Sequence, residues 1–184
     1  AGGCQIRVWV DAFEPVVRLE VQCEQEVEVE VSLEVWRDQE RQLQGEELHS
    51  AYGLCQAPFP VVVSPDAVVP AIVDRIVWFH RNESSVWPQI METQGLAEWA
   101  GEEEDPLIYR TFGGLIRGEG LVSVDEKTLR SEVPLRTTQI SFYTHNQEHW
   151  ERMDQSQDLE PVFFRLKRKD FQIFSFGRIF FRST

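Results

Sequence analysis

The stretch from Val16 to Arg37, VVRLEVQCEQEVEVEVSLEVWR, constrains the fold most. Val17, Leu19, Val21 and Cys23 alternate with charged or polar residues, and Val27, Val29, Val31, Leu33 and Val35 repeat the pattern. A period of two, rich in β-branched residues, sets one face on a core and the other in water. It reads as two half-buried strands joined by a short turn near Glu24 to Glu26. The intervening glutamates form a solvated face that also opposes edge-to-edge pairing.

The rest of the chain reads in the same way. IRVWVDA is a strand with Ile6, Val8 and Val10 on one face. From Arg37 to Pro60 the pattern dissolves into a long connection with little regular structure, and the valines between Pro60 and Pro70 suggest short edge segments. Arg75 to His80 has large apolar groups on both faces and reads as a central, covered strand. Gln89 to Gly101 is mixed, and GEEEDP is an acidic surface loop. Leu107 to Arg117, Leu121 to Val124 and Thr137 to Thr144 read as strands. Gly113-Gly114 marks a bend or bulge, and Gly118-Glu119-Gly120 a turn. Asn146 to Gln157, with Trp150 and Met153 three apart, reads as a short amphipathic helix, and the aromatic end supplies a last strand. The expectation is an all-β protein, an antiparallel β-sandwich of the super-sandwich kind, with one short helix near 146–157.

With 184 residues, 42% of them hydrophobic, the chain is long enough for one sandwich domain over 1–184. A net charge of −13 argues against nucleic acid and anionic membrane surfaces as partners. The charge is uneven. Residues Val162 to Thr184 form a basic, aromatic tail suited to pairing with the glutamate-rich part of this chain or of a second copy. Three cysteines, Cys4, Cys23 and Cys55, allow at most one internal bridge and show no zinc spacing. Cys23 lies on an apolar strand face, where a cysteine is more often a small buried hydrophobe. No apolar run reaches the roughly 18 residues of a membrane span.

His145-Asn146-Gln147-Glu148-His149 fits the H-x-x-E-H string of inverted zinc metalloproteases, which makes His145, Glu148 and His149 the candidate metal ligands. That chemistry needs both histidines on one helical face and a third ligand, whereas His145 closely follows a strand. Surface residues opening a helix are the favoured reading, and no cofactor is expected. Asn82-Glu83-Ser84 fits the glycosylation pattern, a common accident. Paired carboxylates for glycoside hydrolysis cannot be chosen by counting on so acidic a chain.

Four stretches, RVWVDAFEPVVRLEV, IVWFHRNESSVW, DPLIYRTFGGLIRGEG and TTQISFYTHNQEHW, resemble in order and spacing one known family. It is the N-terminal β-sandwich domain of bacterial carbohydrate-active proteins in which an (α/α)6 toroid follows, as in α-L-fucosidase-like glycoside hydrolases. The most specific strings are HRN-x-x-S-x-W and DPL followed by RTFGG. The resemblance implies a glycoside hydrolase parent, a periplasmic or secreted location, and catalytic carboxylates in the toroid rather than here. In that family the sandwich begins upstream of the WVDA strand, so the resemblance also implies an incomplete sandwich. Its uncovered apolar face would favour a homo-oligomer, most simply a dimer. His80, Arg81, Asn82, Trp87 and Arg110 are the candidate carbohydrate contacts, with Trp9, Trp36, Trp78 and Trp99 as further stacking candidates. The competing expectations are a small hydrolase with its site around His80 to Glu83, and a folded fragment without independent function.

Overall fold

The computed structural model describes residues 3–54, 57–70, 72–99, 105–147 and 178–183. Its organising element is β2 (Val16–Ser32), one strand of 17 residues where two strands and a turn were expected. The alternation explains why: Leu19, Val21, Cys23, Val27, Val29 and Val31 are all buried, so the apolar face keeps its parity throughout. At Glu24 to Glu26, all exposed, the chain bends instead of turning. There the ladder with β10 (Leu135–Gln147) jumps from Gln22–Thr137 to Val27–Leu135, which leaves the extra β2 residues to form an irregular bulge.

The bend divides the partners of β2. Its first half pairs with β1 (Cys4–Val10) and β10; its second half pairs with β9 (Thr128–Ser131) and β11 (Arg178–Ser183). The remaining strands are β3 (Arg41–Gln42), β4 (Val62–Val63), β5 (Ala67–Val68), β6 (Arg75–Arg81), β7 (Thr111–Gly118) and β8 (Leu121–Asp125). The main sheet runs β5-β6-β7-β10-β2-β9-β8, every ladder antiparallel, with β1 and β11 added on β2. Leu19 and Val21 from one half of β2 and Val29 and Val31 from the other share a single core with Ile76, Ile116, Leu129 and Ile140. The sheet therefore curls around β2 and closes on its own apolar face, the all-β antiparallel architecture expected from the alternation.

Several local expectations change. The 37–60 connection holds β3 and a 3-10 helix, Gly45–Leu54. With the β3–β4 pair and α1 (Trp87–Thr93), these enclose a second small core of Leu43, Leu54 and Val61 against Val86 and Ile90. This α-helix, opened by Pro88 in its first turn, lies where the sequence read as mixed. The helix expected from Asn146 begins wrongly, because β7 offers a partner edge as far as Thr111 and the ladder carries Asn146 and Gln147 on in β10. The rest of that segment, to Gln157, lies outside the described residues. Leu107 to Arg110 is a turn, not strand. The Gly118–Gly120 turn is present, with Gly120 at φ 72°. The last strand is present as β11, whose register sets Arg182 opposite Glu28, so residues 178–183 pair with the glutamate strand of their own chain.

Cys23 is not a free buried thiol. The β1–β2 register sets it opposite Cys4, and the two form a disulfide. Asp11 fixes the turn that determines this register: its Oδ1 accepts N–H bonds from Phe13 (3.0 Å) and Glu14 (3.3 Å), and its Oδ2 receives Arg18 Nε at 3.2 Å. The Phe13 N–H, opposed by burial and assisted by Arg18 and the Glu14 N–H, holds the Asp11 carboxyl below the usual carboxylate range.

Candidate functional site at the end of strand β6

Successive residues of a strand point to opposite faces, so His80 and Arg81 diverge at the end of β6. His80 shares a face with Ile76 and Trp78, and its cross-strand partner is Phe112. It is buried, and its ring lies 5.2 Å from that of Phe112. His80 Nδ1 donates to Asp66 Oδ1 at 2.9 Å. Arg37 Nε reaches the same oxygen at 2.7 Å, and the Asp66 side chain is only 5% exposed. Asp66 N–H donates to the Arg37 carbonyl at 2.8 Å, and the Arg37 guanidinium lies 4.8 Å from the Phe112 ring centroid. The Asp66 carboxylate is thus held between a cation and an imidazole, which offsets its desolvation.

Arg81, on the other face, lies over the Tyr109 ring at 4.8 Å and places Nε 3.1 Å from Glu83 Oε1. Asn82 forms the corner. Its Nδ2 donates to the Leu107 carbonyl at 2.9 Å, its N–H to the Arg110 carbonyl at 3.0 Å, and its carbonyl accepts the Tyr109 N–H at 2.8 Å. Asn82 Nδ2 is therefore committed to holding the corner. On the facing loop, Asp105 Oδ1 accepts the N–H groups of Leu107 (2.8 Å) and Ile108 (3.1 Å). Tyr109 is held at φ 58°, the left-handed region a bulky residue rarely adopts, with its ring exposed. Ser85 Oγ accepts the Trp87 N–H at 3.0 Å as α1 opens, and the Trp87 indole nitrogen is buried with no hydrogen-bond partner among the described residues.

The five candidate contacts therefore do not meet as a single cluster of side chains. Asn82 and Arg110 meet through backbone; Arg81 pairs with Glu83 and Tyr109; His80 turns inward to Asp66. Arg37, Asp66 and Tyr109 were not among the candidates. Asp66 sits in SPDAVVP, whose prolines hide any period, and the only available sign was a lone acid among valines. Of the aromatic candidates, Trp36 is 68% exposed and lies 5.8 Å from the Arg37 guanidinium, while Trp78 packs on the main core.

His145 lies in β10 opposite Gly113, so the helical face that a zinc-binding histidine pair requires does not begin there. Glu148 and His149 lie outside the described residues. Among the described residues no group of three or more His, Cys, Asp or Glu side chains is placed to hold a metal ion. No helix among them is long and apolar enough to cross a membrane.

A family model described as a domain of unknown function, DUF5703, in its N-terminal part, matches residues 1–170. No curated protein and no solved structure matches the chain.

Proposed function

The chain belongs to the DUF5703 N-terminal domain family, and from the resemblance of its four quoted stretches we propose that it is a non-catalytic β-sandwich module of a carbohydrate-active protein of the glycoside hydrolase kind, structural in role and contacting sugar at the β6 end. One observation carries this reading. The two most specific strings of the resemblance, HRN-x-x-S-x-W and DPL with RTFGG, pack against each other as one corner through the three hydrogen bonds of Asn82. Polar groups already used to hold a corner are scaffold, and the signature they spell is a signature of the fold.

Sugar contact falls to the groups that remain presented. Trp36 beside Arg37, and Tyr109 beneath Arg81, each put an aromatic ring next to a guanidinium. Such a pair can meet the apolar face and the hydroxyls of a pyranose. The Cys4–Cys23 bridge supports a periplasmic or secreted setting, since disulfides persist in oxidising compartments. Glycan-array binding of the wild type, weakened at least tenfold in Trp36→Ala and Tyr109→Ala, is the expected result. Silence on every glycan would overturn the sugar contact and leave the structural role.

The competing reading is a small hydrolase around His80 to Glu83. It is favoured by the inward His80–Asp66 pair, the geometry in which a carboxylate orients a general base. Arg37 on the same Asp66 oxygen weighs against it, because it commits that carboxylate to a buried ion pair.

A further inference from the structure

The core stops under β2, but its apolar stripe does not. Ile6, Val8 and Val10 stand opposite Val21, Leu19 and Val17 and share their face, yet Ile6 is 46%, Val8 62% and Val10 48% exposed. Their backbone is also open. The Gly3 carbonyl accepts the Glu24 N–H and the Asp11 N–H donates to the Val16 carbonyl, so the hydrogen-bonded pairs of this hairpin fall at Gln5, Arg7 and Trp9. The N–H and C=O groups of Ile6, Val8 and Val10 therefore point away from β2, and among the described residues β1 pairs with no other strand.

Proteins normally blunt such an edge with charge or proline. From Cys4 to Val10 there is no proline and no acidic residue, although the chain carries 31 of the latter. Arg7 is the single charge in the segment. We propose that the outer edge of β1 is a homodimer interface, formed by antiparallel pairing with β1 of a second copy about a two-fold axis at Val8.

One register fits the side chains of the segment. With the axis at Val8, Val8 meets Val8, Ile6 meets Val10, and Arg7 meets the Trp9 ring, a cation–π match. All the hydrogen-bonded pairs then fall on residues whose backbone groups point outward. An axis one residue earlier would set Arg7 against Arg7. A self-complementary, isologous contact of this kind closes at two copies, and the two apolar stripes become one continuous face. Such a contact also suits a chain of net charge −13, because the pairing strand itself carries no acidic residue.

Two variants of the intact chain test the interface while leaving the fold in place. Val8→Pro removes an N–H that β2 does not use, and Val8→Lys places a charge at the centre of the contact. Light scattering at micromolar concentration is expected to give twice the chain mass for the wild type and a single chain mass for both variants, with unchanged far-UV circular dichroism. Amide hydrogen exchange at Ile6 and Val10 is expected to be slow in the wild type and at least tenfold faster in Val8→Lys. A monomeric wild type, or a dimer that survives both substitutions, would overturn the proposal. A monomeric wild type with slow exchange at Ile6 and Val10 would do so by assigning the edge to another segment of the protein. None of these readouts depends on sugar, so failure here is separable from failure of the carbohydrate reading.

Discussion

Asn82 and Leu107 are joined by a hydrogen bond of 2.9 Å from the side-chain amide to the carbonyl, across 25 residues of sequence. Together with the backbone bonds of Asn82 to Tyr109 and Arg110, it makes the loop leaving β6 and the loop entering β7 one unit. Asn82→Ala leaves the Leu107 carbonyl without this donor, and the expected cost is about 1–3 kcal/mol in urea denaturation. Proteolysis between Asp105 and Arg110 should accelerate in the same variant, because the loop's tie to β6 is lost.

Gly114 sits beneath the ring of Trp78. A Cβ there would lie 2.6 Å from the Tyr143 carbonyl oxygen and inside the contact radius of the indole. At Gly113 it would lie 2.8 Å from Phe79 Cα. The pair therefore allows β6 and β10 to close on β7, not a bend in the chain. Gly114→Ala is expected to destabilise the protein by about 1–3 kcal/mol by forcing the sheet apart. A change of under about 0.5 kcal/mol in the chemical midpoint analysis would contradict this packing.

The Cys4–Cys23 bridge closes the β1–β2 hairpin across a separation of 19 residues. Reduction is expected to lower stability by about 2–4 kcal/mol. Non-reducing peptide mapping should recover Cys4 and Cys23 in one linked fragment and Cys55 outside it.

Asp11 supplies a pH dependence of definite sign. Its folded carboxyl is held low, chiefly by the Phe13 N–H. The stability it contributes is therefore fully present above its unfolded pKa and is lost as the pH falls through the lower folded value. Asp11→Asn keeps an acceptor for Phe13 and removes the charge facing Arg18. The wild type should melt higher than this variant at pH 7, and the gap should shrink below about pH 4. A gap that widens on acidification would contradict the assignment.

Much of this architecture is legible in the alternation of Val17 to Val35 and in Ile140 and Phe142, because half-buried strands write their face directly into the sequence. The continuity of β2 was written there too, in the unbroken parity from Leu19 to Val31, but a run of three polar residues signals a turn and a bend equally well. The partner of Cys23 follows from the hairpin register once Asp11 is seen to close the turn; spacing alone does not give it. The triad of Arg37, Asp66 and His80 was not legible, since it joins three segments whose proximity depends on the tertiary fold. His80 and Arg81 looked like one cluster because they are adjacent, and strand geometry separates them.

The claim that the β6 corner is scaffold is tested most directly by turnover. Wild type and His80→Ala would be assayed against a panel of aryl glycosides and natural oligosaccharides, with the folding of each checked by circular dichroism. No hydrolysis above buffer by either protein, and a lower melting temperature for His80→Ala through loss of its Asp66 bond, is the expected result. Hydrolysis by the wild type that disappears in a folded His80→Ala would contradict it and make the corner an active site.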